Sequence, residues 1–157
     1  MVDLTPKRGM TLIVQTIAGW LKGIIFLFGI YIILFGHITP GGGFAGGVIL
    51  ALTFVLMTLC CGKGNSLRKM PLHVAGELDS VGALMFLIIA WLGTWSILGG
   101  KFFTNYIARL NTGVPYTIFS SGTIPLCNIA IALKVGASLF LIFMLLVMTN
   151  VIHKPNE

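Results

Sequence analysis

The run from Thr11 to Phe35 leaves this chain very few ways to fold. Lys22 is its only charge, and its length of about 25 residues gives ~37 Å of helix, enough for a tilted bilayer crossing. A secretory signal has a shorter apolar core and a small-residue cleavage site. Here the run leads into His37 and a turn, so it reads as a retained helix. Three more apolar runs follow. Lipid offers no hydrogen-bond partner to bare backbone, so each run should close its own bonds as a helix. The pattern predicts spans over about 12–36, 43–61, 81–98 and 125–152. The expected fold is an all-α integral membrane protein, one domain over residues 1–157 with four transmembrane helices. With 57% hydrophobic and 9% charged residues, the chain has no room for a soluble domain. Four Asp/Glu and three His are too few for an independent enzyme, and no catalytic residue is assigned.

The first two spans are separated by His37-Ile38-Thr39-Pro40-Gly41-Gly42-Gly43-Phe44-Ala45-Gly46-Gly47, which holds five of the twenty glycines. Pro40 biases Thr39 away from helix, so the first span should stop near Gly36 or His37. Consecutive glycines let backbone approach backbone. Irregular backbone in a bilayer survives only at the surface, against protein or beside water. The turn therefore looks built to pack against neighbouring subunits. An anion cradle is the alternative, but no strand precedes the turn and the phosphate-loop pattern G-x-x-x-x-G-K-[ST] is absent. Gly47 and Ala51 offer a smooth stripe to a partner, and Gly19 and Gly23 form a G-x-x-x-G pair suited to close helix packing. His37 should cap carbonyls at the end of the first helix; a proton shuttle is the competing role.

The formal charge of +6 resembles a nucleic-acid signal until the charges are placed. Lys7, Arg8, Lys63, Arg68, Lys69 and Lys154 fall on one side of a four-span topology, Lys101 and Arg109 on the other. The positive-inside rule then puts both termini in the cytoplasm, and no nucleic-acid partner is expected. Gly62 to Ser80 reads as a polar loop; Glu77 and Asp79 lie at its end, just before the third expected span, where they would cap its helix or form the entrance to a cation or proton path. Lys22 and Lys134 fall inside spans. A lysine at a helix centre costs about 2.5–3.5 kcal/mol on insertion scales, so each needs a partner or a polar cavity. Lys22 should snorkel to the cytoplasmic interface. Lys134 is either a relay group in an ion path or one half of an ion pair. With no carboxylate inside the expected spans, its partner would come from another protein. Cys60, Cys61 and Cys127 form no C-x-x-C pair and read as small apolar filler. No metal site and no cofactor is expected in this chain.

Gly36-His37-Ile38-Thr39-Pro40-Gly41-Gly42-Gly43-Phe44-Ala45-Gly46-Gly47 resembles the G-H-x-T-P-G-G-G-F-x-G-G signature of the MnhB/MrpB family, a set of small membrane components of multisubunit Na⁺/H⁺ antiporters. Gly122-Thr123-Ile124-Pro125-Leu126, Asn128 and Leu133-Lys134-Val135 are similar to that family's G-T-I-P-L-x-N and L-K-V region. Ala45 and Ala132 depart from it, standing where glutamine and glycine are common. The resemblance implies a small accessory subunit among antiporter-type membrane subunits, in a hetero-oligomer embedded in the cell membrane. The same module recurs in membrane-bound [NiFe] hydrogenases and related ferredoxin-linked complexes, so hydrogenase or Fe–S subunits are further implied partners, with Na⁺ or H⁺ as the transported ion. The resulting expectation is a non-redox subunit of a cation/proton-translocating complex. Its ion-path candidates are Lys134, Lys22, His37, Glu77 and Asp79. A purely structural subunit and a self-sufficient small transporter are the competing readings.

Overall fold

The computed structural model describes residues 10–95, 100–107 and 121–152. Among the described residues, five helices run in order: α1 Leu12–Leu34, α2 Gly42–Cys61, α3 Lys63–Lys69, α4 Leu72–Leu92 and α5 Ile124–Ile152. Four of them, all except α3, are long and apolar enough to cross a membrane. The principal packing pairs are α1 with α2, α2 with α5 and α5 with α4. The four spans thus form a row, α1–α2–α5–α4, with α1 and α4 at its ends. The chain is an all-α, multi-pass integral membrane protein.

Between α1 and α2 the chain turns where Pro40 and the glycines require it. The Phe35 carbonyl accepts the N–H groups of Ile38 and Thr39, each at 2.9 Å, and the Thr39 hydroxyl at 3.0 Å. Thr39 therefore caps this carbonyl. Gly41 and Gly42 have φ of 114° and 60°, the left-handed region that glycine enters at least cost. His37 sits half-buried within the turn.

Where the sequence predicts a turn packed against neighbouring subunits, the turn packs against its own last helix. A Cβ on Gly43 would run into the backbone of Asn128, 2.7 Å from its Cα, and one on Gly47 would lie 2.8 Å from the Ala132 carbonyl. These contacts set α2 beside α5 in parallel, with α2 residues level with α5 residues 85 positions later (43 with 128, 47 with 132). The Gly47–Ala51 stripe is covered by the same helix, and both residues are buried. Gly29 meets Ile49 and Leu50, while Gly46 meets Ile33, so α1 and α2 run antiparallel. By contrast, a Cβ on Gly19 or Gly23 would meet nothing within 4 Å, and this G-x-x-x-G pair has no partner among the described residues.

The third span differs from expectation. Residues 62–80, read as a polar loop, hold α3 and the first turns of α4. Leu72, Ala75 and Leu78 carry the reason: at helical spacing they present one apolar face, and Ala75 is fully buried. That face joins a core of Met70, Ala75, Phe140 and Met144, against which Phe54 and Leu67 also pack. The rings of Phe54 and Phe140 meet edge-on at 5.6 Å. The buried hydroxyls of Thr58 and Ser66 share a 2.8 Å hydrogen bond that fastens α3 to α2. Pro71 stands at the N-cap of α4. At the other end α4 stops at Leu92, short of the expected Leu98.

Near the opposite face, Asn105 fastens residues 100–107 to the start of α5. Its Oδ1 accepts the Thr123 N–H at 2.9 Å and its Nδ2 donates to the Ser121 carbonyl at 3.0 Å. Pro125 is buried in the first turn of α5, where no intrahelical N–H is needed. Lys7, Arg8, Arg109 and Lys154, on which much of the charge argument rests, lie outside the described residues.

Candidate functional site

Asp79, Lys134 and Ser138 form a polar cluster where α4 meets α5. Gly82 makes it possible. A Cβ on Gly82 would lie 2.8 Å from the Lys134 backbone nitrogen and 3.0 Å from the Ala130 carbonyl, so the two helices touch backbone to backbone there. Asp79 lies three residues before Gly82 on the same face, and Ser138 lies four after Lys134. Close approach at Gly82 therefore brings a short carboxylate within reach of both partners. Lys134 Nζ donates to Asp79 Oδ1 at 2.9 Å. The Ser138 hydroxyl donates to the same oxygen. Asp79 Oδ2 takes no hydrogen bond from a described residue.

This geometry corrects two expectations. Asp79 and Glu77 do not cap the third span: the first turn of α4 holds no acid, and Asp79 lies ~10 Å along the helix. Lys134 takes its counterion from its own chain. The carboxylate missing from the expected spans belongs to this one, because the span begins at Leu72 and encloses it. The pair is the only salt bridge among the described residues.

Depth follows from the register. Lys134 is level with Ile49, near the middle of α2, by the 85-residue offset. The pair therefore sits well inside the apolar layer. The Lys134 side chain keeps 47% of its surface uncovered within this chain and that of Asp79 28%, so the cluster lies on the flank of the helix row. A groove of about 310 Å³ adjoins it, walled by Gly82, Phe86, Ala130, Ile131 and Lys134. Chemically, the cluster is a neutral pair with a third oxygen at hand. Its ammonium can donate a proton, its carboxylate can accept one, and Asp79 and Ser138 supply the oxygen ligands a hard cation prefers.

The remaining sequence candidates do not join this cluster. Glu77 is exposed, about 200° around α4 from Asp79. His37 lies in the glycine turn. Lys22 is on α1, at the far end of the helix row, and lines a groove with Arg68 and Lys69. Sequence reasoning missed Ser138, whose signal was its place one turn beyond Lys134. Asn128 belongs to the second motif; its side chain is buried against the glycine turn and its Nδ2 has no acceptor among the described residues. No group of three His, Cys, Asp or Glu able to hold a metal ion occurs among the described residues.

Residues 13–141 match the family model described as a domain related to the MnhB subunit of Na⁺/H⁺ antiporter. The chain is 34% identical over 132 residues to an uncharacterized protein of Methanocaldococcus jannaschii, across 82% of this chain and 49% of that protein, so it spans about half of that relative's length. It is 33% identical over 105 residues to the B-type subunit of a Na⁺/H⁺ antiporter of Bacillus subtilis, across 65% of this chain and 69% of that one. Among solved structures, it is similar to a chain of the membrane-bound sulfane sulfur reductase, an archaeal respiratory membrane complex. That likeness has a TM-score of 0.68 and 28% identity, over 88% of this chain and 59% of the other. With the family model covering most of its length, the chain belongs to the MnhB family.

Proposed function

We propose that this chain is a non-redox, non-catalytic membrane subunit of a multisubunit cation/proton-translocating complex, and that Asp79, Lys134 and Ser138 form part of its Na⁺ or H⁺ path at a subunit interface. Family membership supports the first half, together with a relative named as an antiporter subunit and a structural neighbour from a respiratory complex. The observation that carries the second half is the ion pair at mid-span. Ionisable groups in a membrane are costly and mark ion pathways and proton relays. A hydroxyl bonded to the carboxylate, and a pair flank uncovered within this chain, favour a path completed by another subunit.

In this reading the proton or cation exchanges on Asp79. When Lys134 is protonated it neutralises the carboxylate. When it releases its proton, Asp79 and Ser138 present oxygens to an arriving cation. Glu77, about half a helical turn nearer the α4 N-terminus, serves as an entry group. We further propose that both termini face the cytoplasm, from the excess of Lys and Arg on their side. The partners are other antiporter-type membrane subunits, in a free-standing antiporter or in a redox-driven complex with hydrogenase-like or Fe–S subunits.

The test is coupled transport in everted membrane vesicles carrying the complex, with assembly followed on native gels. Asp79→Asn and Lys134→Ala should each abolish ion-coupled proton movement while the complex stays assembled. Loss of assembly in parallel with transport would instead assign the pair to packing, the role of a purely structural subunit.

A further inference from the structure

We propose that the groove where α1, α2 and α3 meet binds one anionic phospholipid, its phosphate held by Lys22, Arg68 and Lys69. The three cations come from two helices and line one cavity of about 420 Å³ with Met57 and Cys61. None of them forms a salt bridge or hydrogen bond with a described residue. The acids described are Glu77 and Asp79, both on α4 at the far end of the row, and Asp79 is held by Lys134. Three like charges converging without a counterion repel one another, and an anion between them removes that cost.

Depth sets the kind of anion. The contacts of Gly29 with Leu50 and of Gly46 with Ile33 fix the antiparallel register of α1 and α2, which puts Lys22 level with Met57. Cys61 ends α2 four residues on, so the Lys22 backbone lies ~6 Å inside that end. The side chain spans such a distance. The cations therefore gather at the headgroup level, on the side of the membrane where α3 lies. Basic pockets between spanning helices at this level suit phospholipid headgroups.

The groove also has a tail. A second cavity of about 280 Å³ shares Lys22, Met57 and Lys69 with the first and continues along α1 and α2 past Gly23, Phe26, Thr53 and Phe54. Gly23 leaves it open, since even a methyl group there would touch nothing within 4 Å. A cationic mouth leading into an apolar trough matches a charged head on an acyl chain. Inorganic phosphate would use only the mouth.

Native mass spectrometry of the full-length chain released from mixed micelles tests this, with dioleoyl phosphatidylglycerol, dioleoyl phosphatidylcholine and inorganic phosphate as probes. The wild-type chain should retain one phosphatidylglycerol, in at least tenfold preference to phosphatidylcholine. Excess inorganic phosphate should not displace it. Lys22→Gln, Arg68→Gln and Lys69→Gln should each lower retention about fivefold, and the triple variant about a hundredfold. Lys22→Arg should keep it, and Lys101→Gln should leave it unchanged. Gly23→Phe should weaken the dioleoyl lipid but not its dihexanoyl counterpart. Equal retention of the two lipids, or an unaffected triple variant, would overturn the proposal. So would full displacement by phosphate, which marks a free-anion site. Crosslinking of Lys22 to an acidic side chain of a second subunit in the native complex would overturn it as well, giving the groove to a protein.

Discussion

Lys22 and Lys134 each lie ten residues past the start of a long apolar helix, Leu12 for α1 and Ile124 for α5, yet they occupy opposite environments. The helix register separates them first. Lys134 is level with the middle of α2, whereas Lys22 is level with its last turn. Their neighbours separate them further. Lys134 meets a carboxylate that the close approach of α4 and α5 delivers and that the Ser138 hydroxyl also holds; Lys22 shares its groove with two more cations. Distance along a helix is therefore a poor guide to depth in a membrane. What surrounds a charge depends on which helix lies beside it, and glycines decide that here.

The strongest way to break the comparison is to destroy the register behind it. Gly43→Val drives a branched side chain into the backbone of Asn128, which cannot yield as a flexible side chain would. The cost should reach or exceed the upper end of the ~1–3 kcal/mol overpacking range, with loss of folded chain on fluorescence-detected size exclusion. Next comes the pair itself. Lys134→Ala removes the counterion of Asp79 in the apolar layer, and Asp79→Asn removes that of Lys134. Each should lower coupled transport by ~100-fold or more, as measured by ion-dependent collapse of a pH gradient in vesicles. Lys22→Ala in the same assay should retain most of the transport, because its groove lies at the other end of the row.

A subtler change sharpens the contrast. Gly82→Ala adds one methyl group 2.8 Å from the Lys134 backbone nitrogen, forcing α4 and α5 apart. The chain should still fold, at ~1–3 kcal/mol lower stability, while the carboxylate loses contact with Lys134 and transport falls part of the way toward the Asp79→Asn level. Glu77→Gln should have the smallest effect. An exposed entry group with no ion pair among the described residues mainly concentrates cations locally, so the variant should slow transport only ~2–5-fold, and less as ionic strength rises.

Much of this architecture was legible in the residues. Four apolar runs admit only helices in lipid, and Pro40 with its glycines admits only a turn. The charges at Lys22 and Lys134 marked themselves by their cost. What stayed hidden was relational. The Glu77–Asp79 acids made residues 72–80 look like a loop, and the Leu72, Ala75, Leu78 face outweighed them only because Phe140 and Met144 lie opposite. A span beginning at Val81 leaves Asp79 outside it and Lys134 without a partner in its own chain; the span beginning at Leu72 encloses that partner. The glycine turn was legible as a close contact, but one sequence cannot say whether the facing backbone is its own or another subunit's. The backbone proves to be that of Asn128 and Ala132. The open glycines of α1 and the exposed apolar sides of α1 and α4 remain for lipid or neighbouring subunits.

If the mid-span pair exchanges its proton or cation, it does more than fasten α4 to α5. Lys134→Arg separates the two roles, because arginine keeps the charge and the hydrogen bond to Asp79 but does not release a proton in a protein. Ion-coupled proton movement would be measured in everted vesicles, with the assembled complex quantified on native gels from the same membranes. An exchanging pair requires a complex at wild-type abundance with transport reduced at least ~100-fold. Wild-type transport by the Lys134→Arg complex would contradict that role and reduce the pair to a structural clasp.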